Sequence, residues 1–225
     1  MLSVLSFSFI LSPIAGSAPL TIFSPGSEPY GLPYVTHIEN FWKWMLAIPA
    51  KDNPIDDPTG EKCATGQSNT NSSVFYLAFN NGGISERTCK VPAGKGLVIP
   101  VMQVEISNKD LGNASIEELK LAAKTDQDSV NSLHLKIDDK EYNFEDLRKY
   151  RAATDGFDAD YADNGIFGIK DGGPTKVVAD GYYIITDPLP KGNHTVQFKS
   201  SLACSDPGCG EPNFAQDIKY NIIAQ

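Results

Sequence analysis

Four aspartates close together in the sequence are the residues whose spacing most suggests a metal site: Asp155, Asp158, Asp160 and Asp163. Clustered carboxylates around glycine suit the oxygen-only coordination of Ca²⁺. The stretch departs from the EF-hand pattern, because counting from Asp158 puts Ala162 at the fifth position, where a ligand is needed, and no glycine follows it. Two interpretations remain, a calcium site of another geometry and a solvated loop held by Asx-turns.

The sequence carries no recognisable catalytic motif. The histidines, His37, His134 and His194, fall in three separate predicted elements, without the spacing of a helical metal-ligand pair. There is no G-x-S-x-G elbow, and Lys95 is followed by Gly96 instead of the Ser or Thr of a phosphate loop. Sequence alone cannot select a hydrolytic carboxylate pair from 28 acidic residues. We lean towards a binding protein rather than an enzyme.

Three aromatic residues are the candidates for ligand contacts: Trp44, Tyr161 and Tyr182. Trp44 lies two residues after Trp42, which places the two rings about 200° apart around a helix. Trp42 belongs to an apolar stripe, so Trp44 either packs against a sheet edge or contributes to a binding surface. Tyrosine rings offer stacking faces to a sugar, although tyrosine in a sheet more often packs against other strands. Carbohydrate is the ligand class that we consider first.

Residues 1–17 are predicted to form a signal peptide. The run from Leu2 to Ile14 is apolar, and the small residues after it place the cleavage site behind Ser17. No Lys or Arg precedes the apolar run, so an uncleaved anchor and a cytosolic start remain as alternatives. Residues 18–33, rich in Pro, Gly and Ser, are predicted to be an extended arm. No later stretch is apolar enough to span a bilayer.

Four cysteines predict two disulfides: Cys63, Cys89, Cys204 and Cys209. Cys204 and Cys209 enclose Ser-Asp-Pro-Gly, whose proline and glycine favour a turn that brings the two sulfurs together. Cys63 is then left to pair with Cys89. The alternative is a four-thiolate zinc site, but neither pair has the C-x2-C spacing of a zinc ribbon. Disulfides agree with the predicted export, since they persist in oxidising compartments.

The charge balance argues against one class of partner. The chain has 19 basic and 28 acidic residues, a net charge of −9 at pH 7. An acidic surface repels phosphate backbones, and the lysines are spread singly along the chain. We therefore expect no nucleic-acid partner.

The groups named above are predicted to be positioned by a β-rich fold. A helix is predicted after Thr36, which forms a capping box with Glu39 ahead of an apolar stripe. Residues 73–79 and 84–91 flank Asn-Asn-Gly-Gly and are predicted to pair as a hairpin. Pro100, inside the next apolar run, indicates an edge strand or a bulge.

The remaining pattern completes the predicted architecture. Ser115 and Glu118 form a second capping box that begins another helix, and residues 152–173 are predicted to be irregular. Short strands separated by Gly/Pro turns favour a mainly β fold, an antiparallel β-sandwich of jelly-roll or Ig-like type with two or three peripheral helices. Residues 34–225 are predicted to form this single domain.

Three blocks of residues carry a resemblance to other proteins. They are Phe41–Trp44, Pro49, Asn53–Pro54, Asp57–Gly60, Cys63 and Gln67; Tyr76–Gly83, Arg87, Cys89 and Val91–Lys95; and Asp180–Tyr183, Pro188–Leu189 and Gly192–Phe198. Together they resemble a group of exported bacterial and archaeal proteins to which no function is assigned, over most of residues 39–225. The resemblance implies export and a β-rich fold, and it assigns no catalytic or ligand-binding residue.

These observations predict a secreted or cell-surface protein with a binding or surface-structural role. The ligand is not identified by the sequence, and carbohydrate is the class considered. One alternative is an exported hydrolase that acts on polysaccharide through an acidic pair, and another is a calcium-dependent adhesion module. The sequence does not predict the oligomeric state.

Overall fold

The computed structural model describes residues 20–67, 72–203 and 213–225. The predicted signal peptide, residues 1–17, and both Cys204 and Cys209 lie outside the described residues. The helices are α1 (Tyr34–Leu46), α2 (Asn108–Leu111), α3 (Ile116–Asp128) and α4 (Phe144–Leu147). The strands are β1 (Val74–Tyr76), β2 (Gly83–Val91), β3 (Gly96–Ser107), β4 (Val130–Ile137), β5 (Lys140–Tyr142), β6 (Arg151–Ala153), β7 (Phe157–Tyr161), β8 (Gly173–Ile185), β9 (Gly192–Ala203) and β10 (Asn213–Ala224).

The strands form two five-stranded sheets, which confirms the mainly β fold. The first sheet has the order β1-β3-β8-β6, with β7 also paired to β8, and the second has the order β2-β10-β9-β4-β5. The prediction of purely antiparallel pairing is wrong. The pair β1–β3 is parallel, and so is the pair β2–β10. In both parallel pairs, at least one other strand lies between the two partners in sequence. The chain between them therefore supplies the long crossover that parallel pairing needs.

The predicted hairpin of residues 73–79 with 84–91 is wrong. β1 lies in the first sheet and β2 in the second, so the chain passes from one sheet to the other between them. The carbonyls of Ala78 and Phe79 accept hydrogen bonds from the Arg87 guanidinium at 2.9 and 3.1 Å instead of from a neighbouring strand. Asn80 still begins a turn, because its side chain accepts from the backbone N–H of Gly82. The turn residues fit a crossover as well as a hairpin.

A bulge in β3 links the two sheets. The pairing of β3 with β8 shifts by one residue between Pro100 and Met102, as the proline predicted. The carbonyl of Val101, the extra residue, accepts hydrogen bonds from Ser200 Oγ at 2.7 Å and from Gln216 Nε2 at 2.9 Å. Both donors belong to the second sheet, so the irregularity in one sheet provides a buried polar contact to the other.

The two longer helices cover opposite faces of the first sheet. The apolar stripe of α1 is buried as predicted, and Trp42 Nε1 donates to the Tyr183 hydroxyl at 2.8 Å. α3 packs through Leu119 and Ala123 against Val178. Tyr183 and Val178 are an odd number of residues apart in β8 and so point to opposite faces.

The two predicted helix starts differ in outcome. The capping box of Ser115 with Glu118 is confirmed at the beginning of α3. The predicted box at Thr36 is wrong, since α1 begins at Tyr34 behind Pro33 without a side-chain cap. The ring of Pro33 restricts its φ, and the Tyr34 hydroxyl donates to the carbonyl of Tyr183 at 2.8 Å, which fixes this end of the helix by a tertiary contact.

The segment that precedes α1 lies against the end of the first sheet. Ile22 forms a bridge with Thr186, and the backbone N–H of Phe23 donates to the carbonyl of Ile185 at 2.9 Å. Within the described residues, no helix combines the length and the apolar character that crossing a membrane would require.

The loop between α1 and β1 is held by buried polar side chains. We call Asn53, Asp57, Gln67 and Arg87 the loop cluster. Asn53 Nδ2 donates to the carbonyls of Met45 and Ile48, at the end of α1, and its Oδ1 accepts from the N–H of Ile55. The side-chain amide of Gln67 pairs with both backbone groups of Tyr76, as a neighbouring strand would.

The other two members of the loop cluster join this loop to itself and to the second sheet. Burial acts to raise the pKa of Asp57, but the backbone N–H groups of Lys62 and Thr59 dominate and hold it below its usual value. The predicted disulfide Cys63–Cys89 is confirmed and ties the same loop to β2. Two residues before Cys89, the fully buried Arg87 donates to the carbonyl of Ile55 at 2.9 Å.

Candidate ligand-binding cleft

The three aromatic residues predicted from the sequence occupy different places. Trp44 is 6% exposed and lines a cleft beside α1. Tyr161 is buried in β7 and its hydroxyl donates to Glu105 at 2.6 Å. Tyr182 lies in β8 opposite Arg151 of β6 and is 7% exposed. Of the three, Trp44 alone is among the residues that line the cleft.

We call the cleft beside α1 the α1 cleft. Its volume is about 430 Å³, within the range of about 300–1,000 Å³ found for small-molecule sites. It is lined by Tyr30, Leu32, His37, Asn40, Lys43, Trp44, Ser72, Ser73 and Tyr76. His37, Asn40 and Lys43 recur every three residues, so one side of the helix supplies them together. Trp44 also lies on α1, and the other lining residues come from the segment before α1, from the two residues that precede β1 and from the end of β1.

Two buried rings form one wall of the α1 cleft. The indole of Trp44 stacks on the ring of Tyr76, with 5.4 Å between the ring centroids. Trp44 Nε1 donates to the carbonyl of Thr65 at 2.9 Å, which fixes the orientation of the indole. Gly66 makes room for this contact, since a Cβ there would lie 3.1 Å from Nε1 and its φ of +70° disfavours other residues. The loop held by the loop cluster therefore positions Trp44.

Tyr30 forms another wall in an uncommon backbone conformation. Its φ is 55° and ψ is 27°, a left-handed geometry that costs free energy in a residue with a bulky side chain. The hydroxyl of Tyr30 donates to the carbonyl of Thr186 at 2.7 Å, and burial followed by the Asp187 carboxylate raises its pKa. A Cβ on Gly96 would lie 2.1 Å from this hydroxyl. Gly96, the first residue of β3, is thus needed to make room for the Tyr30 ring in the cleft.

Some of the polar side chains of the cleft are available to a ligand. Within the described residues, the side chains of Asn40 and Ser73 form no hydrogen bond with the protein. Lys43 Nζ lies 5.4 Å from the centre of the Phe157 ring. His37 is buried with Nε2 at 2.8 Å from the carbonyl of Pro29, and burial lowers its pKa, so the imidazole is neutral at pH 7. No Asp or Glu is among the lining residues.

Two other cavities are lined by charges that are already paired. A cavity of about 370 Å³ between α3 and β6 contains Arg151, whose Nε and Nη2 both bond to the buried Asp180. A shallower one of about 650 Å³ near α2 contains Lys176, which pairs with Asp158 at 2.7 Å. Unpaired polar groups beside aromatic rings distinguish the α1 cleft from both.

The acidic stretch that suggested calcium lies partly in a strand. Residues 152–173 were predicted to be irregular, which is wrong for 157–161, because these form β7 and pair with β8. Asp155 pairs with Lys120 at 3.0 Å, and the carboxylate of Asp163 accepts from the N–H of Gly172 at 2.9 Å. Asp158 and Asp160 lie on the exposed side of β7. Among the described residues, no group of three or more Asp, Glu, His or Cys side chains is arranged to hold a metal ion.

Glu105, in β3, has a buried carboxyl group that was not predicted from the sequence to belong to a site. Both of its oxygens lie within 3.0 Å of the Tyr161 hydroxyl. Burial, followed by the nearby Asp110 carboxylate, raises its pKa to about 8. Its only sequence signal is a charged residue at the end of a nearly continuous apolar run. Glu105 is not among the residues that line the cavities described above.

Comparison with known proteins adds no relative of assigned function. No protein-family model and no curated protein sequence matches the chain. Among solved structures, the one titled "Structure of PbICP-C in complex with falcipain-2" aligns with 12% sequence identity, over 68% of this chain and 100% of that chain, with a TM-score of 0.25. A TM-score of this size carries no argument about fold or function.

Proposed function

We propose that the protein is an extracellular binding protein that holds a saccharide in the α1 cleft, on a scaffold of two sheets in a sandwich-type arrangement. The observation that carries the proposal is that one cleft combines the Asn40 and Ser73 side chains, which bond to no described residue, with the rings of Tyr30, Trp44 and Tyr76. The apolar residues 2–14 and the disulfide Cys63–Cys89 support an extracellular location.

The chemistry of the cleft matches that of a sugar. A sugar ring presents hydroxyl groups at its edge and C–H groups on its faces. Asn40 both donates and accepts hydrogen bonds, and Ser73 does the same, so both serve hydroxyl groups. The part-exposed ring of Tyr30 and the exposed Leu32 offer apolar contact to the faces. No observation in the described residues favours the hydrolase or the calcium-dependent module.

Isothermal titration calorimetry with a panel of neutral and acidic oligosaccharides tests the proposal. We expect at least one to bind, and Asn40→Ala to weaken that binding about 5- to 10-fold through the loss of one hydrogen bond. Asn193→Ala, at an exposed position in β9, is the matched control and leaves the affinity unchanged. Absence of binding to every oligosaccharide, or equal affinities for the wild type and Asn40→Ala, would contradict the proposal.

A further inference from the structure

We infer that the α1 cleft takes a carboxylated saccharide, of the uronic-acid type, and that Lys43 is its charged contact. The inference rests on the proposed function and adds the charge of the ligand. It starts from the ionisable groups of the cleft. Lys43 is the one side chain among the lining residues that is charged at pH 7, since His37 is neutral.

The lysines that line the other cavities are already bonded within the protein, and Lys109 among them donates to the backbone carbonyls of Asp171 and Gly172. Lys120 pairs with Asp155, and Lys176 pairs with Asp158. Within the described residues, Lys43 pairs with no carboxylate, although the chain carries an excess of nine negative charges. A cation left without a carboxylate in an acidic protein creates a local positive potential, which favours an anionic ligand there over a neutral one.

The geometry places donors where a carboxylate would need them. Asn40 and Lys43 are three residues apart on α1, so the side-chain amide and the ammonium group lie on the same side of the helix. The Phe157 ring beneath the Lys43 ammonium group restricts its position by a cation–π contact at 5.4 Å. One flexible lysine without an arginine suits a singly charged carboxylate better than a phosphate, which proteins usually hold with several N–H donors.

A matched pair of ligands tests the inference directly. Methyl β-glucuronide and methyl β-glucoside differ only in a carboxylate in place of a hydroxymethyl group. Titration of each into ¹⁵N-labelled secreted protein, followed by NMR, gives the two dissociation constants. We expect the glucuronide to bind at least about threefold more tightly, and this advantage to shrink as NaCl rises from about 0.05 to about 0.5 M.

Substitutions assign the advantage to Lys43. In Lys43→Gln the two ligands are expected to bind equally, while Lys43→Arg, which keeps the charge, retains the preference. Lys90→Gln is the matched control, because Lys90 is an exposed lysine on the second sheet that pairs with no carboxylate of a described residue. Equal binding of both ligands to the wild type, or a preference that survives Lys43→Gln, overturns the inference and leaves the proposed function standing. Binding of neither ligand overturns the inference, and the proposed function falls with it only when no oligosaccharide of the panel binds.

Discussion

The loop cluster and the α1 cleft contain the same kinds of polar side chain in opposite conditions. Asn53 is fully buried and makes three hydrogen bonds within the protein, whereas Asn40, on α1 itself, is half-buried and makes none with a described residue. Arg87 is fully buried and bonded to backbone carbonyls, whereas Lys43 is exposed. The type of a polar residue therefore does not show whether it stabilises the fold or contacts a ligand. Its hydrogen-bond and ion-pair partners within the protein do show this.

The largest effect is expected from Arg87→Met, in the loop cluster. The substitution removes the Arg87 donor from the buried carbonyls of Ile55 and Phe79, and it leaves the carbonyl of Ala78 with the Tyr220 hydroxyl at 2.7 Å. Because unsatisfied buried polar groups each cost about 1–3 kcal/mol, we expect the free energy of unfolding to fall by about 4 kcal/mol.

Chemical denaturation measures this loss, and Lys90→Met is the control. Lys90 lies on the same strand as Arg87 but on its exposed side, so its replacement should change stability by less than about 0.5 kcal/mol. A loss below about 1 kcal/mol in Arg87→Met would show that the loop cluster does not join the two sheets.

Glu105 is buried like the side chains of the loop cluster, but it lacks a cationic partner in the described residues. Its folded-state pKa of about 8 lies above the usual value of 4.5, so the folded protein binds the proton more tightly than the unfolded chain. The contribution of the Glu105 carboxyl to the free energy of unfolding is complete below pH 4.5, and it is lost as the pH rises to about 8. Glu105→Gln removes the loss, because glutamine stays neutral.

Urea denaturation of the wild type and Glu105→Gln at pH 5 and at pH 8.5 checks this. The quantity of interest is the free energy of unfolding of Glu105→Gln minus that of the wild type. We expect this difference to be larger at pH 8.5 than at pH 5 by about 2 kcal/mol or more. The difference between the two proteins cancels the titration of other groups. A pH-independent difference would mean that Glu105 is ionised throughout, stabilised by a contact other than the Tyr161 hydroxyl.

Local interactions were predictable from the sequence, and tertiary ones were not. The stripe of α1 and the capping box of Ser115 depend on residues within one or two helical turns, so their spacing is sufficient. The pairing of β1 is not encoded locally, because Asn80 and the glycines after it fit a hairpin and a crossover equally. In the crossover the Arg87 guanidinium binds the carbonyls of Ala78 and Phe79, and nothing near Arg87 in the sequence indicates which carbonyls it will bind.

The same reasoning explains what could be foreseen of the α1 cleft. Trp44 was a candidate because it lies off the apolar stripe, a property of the helix alone. Asn40 and Ser73 matter because no described residue forms a hydrogen bond with their side chains, and Lys43 because no described carboxylate pairs with it, which only the folded structure shows. Tyr30 reaches the cleft through a left-handed backbone conformation that its sequence does not favour.

The two asparagines test the comparison with the same substitution. Asn53→Ala removes the partner of the Ile48 carbonyl and of the Ile55 N–H, and it removes one of the donors to the Met45 carbonyl, which also accepts from the backbone N–H of Ile48. We expect a loss of about 2 kcal/mol in the free energy of unfolding, measured by thermal or chemical denaturation.

Asn40→Ala is expected to have the smallest effect, a change in stability within about 0.5 kcal/mol, because no described residue forms a hydrogen bond with this side chain. Alanine also has the higher helix propensity, which offsets part of any lost contact in α1. The same variant should lose affinity for the ligand, so stability and binding respond in opposite ways at residues 53 and 40. Equal destabilisation by both substitutions would place Asn40 in the fold rather than in the binding site, and the distinction between the loop cluster and the α1 cleft would be wrong.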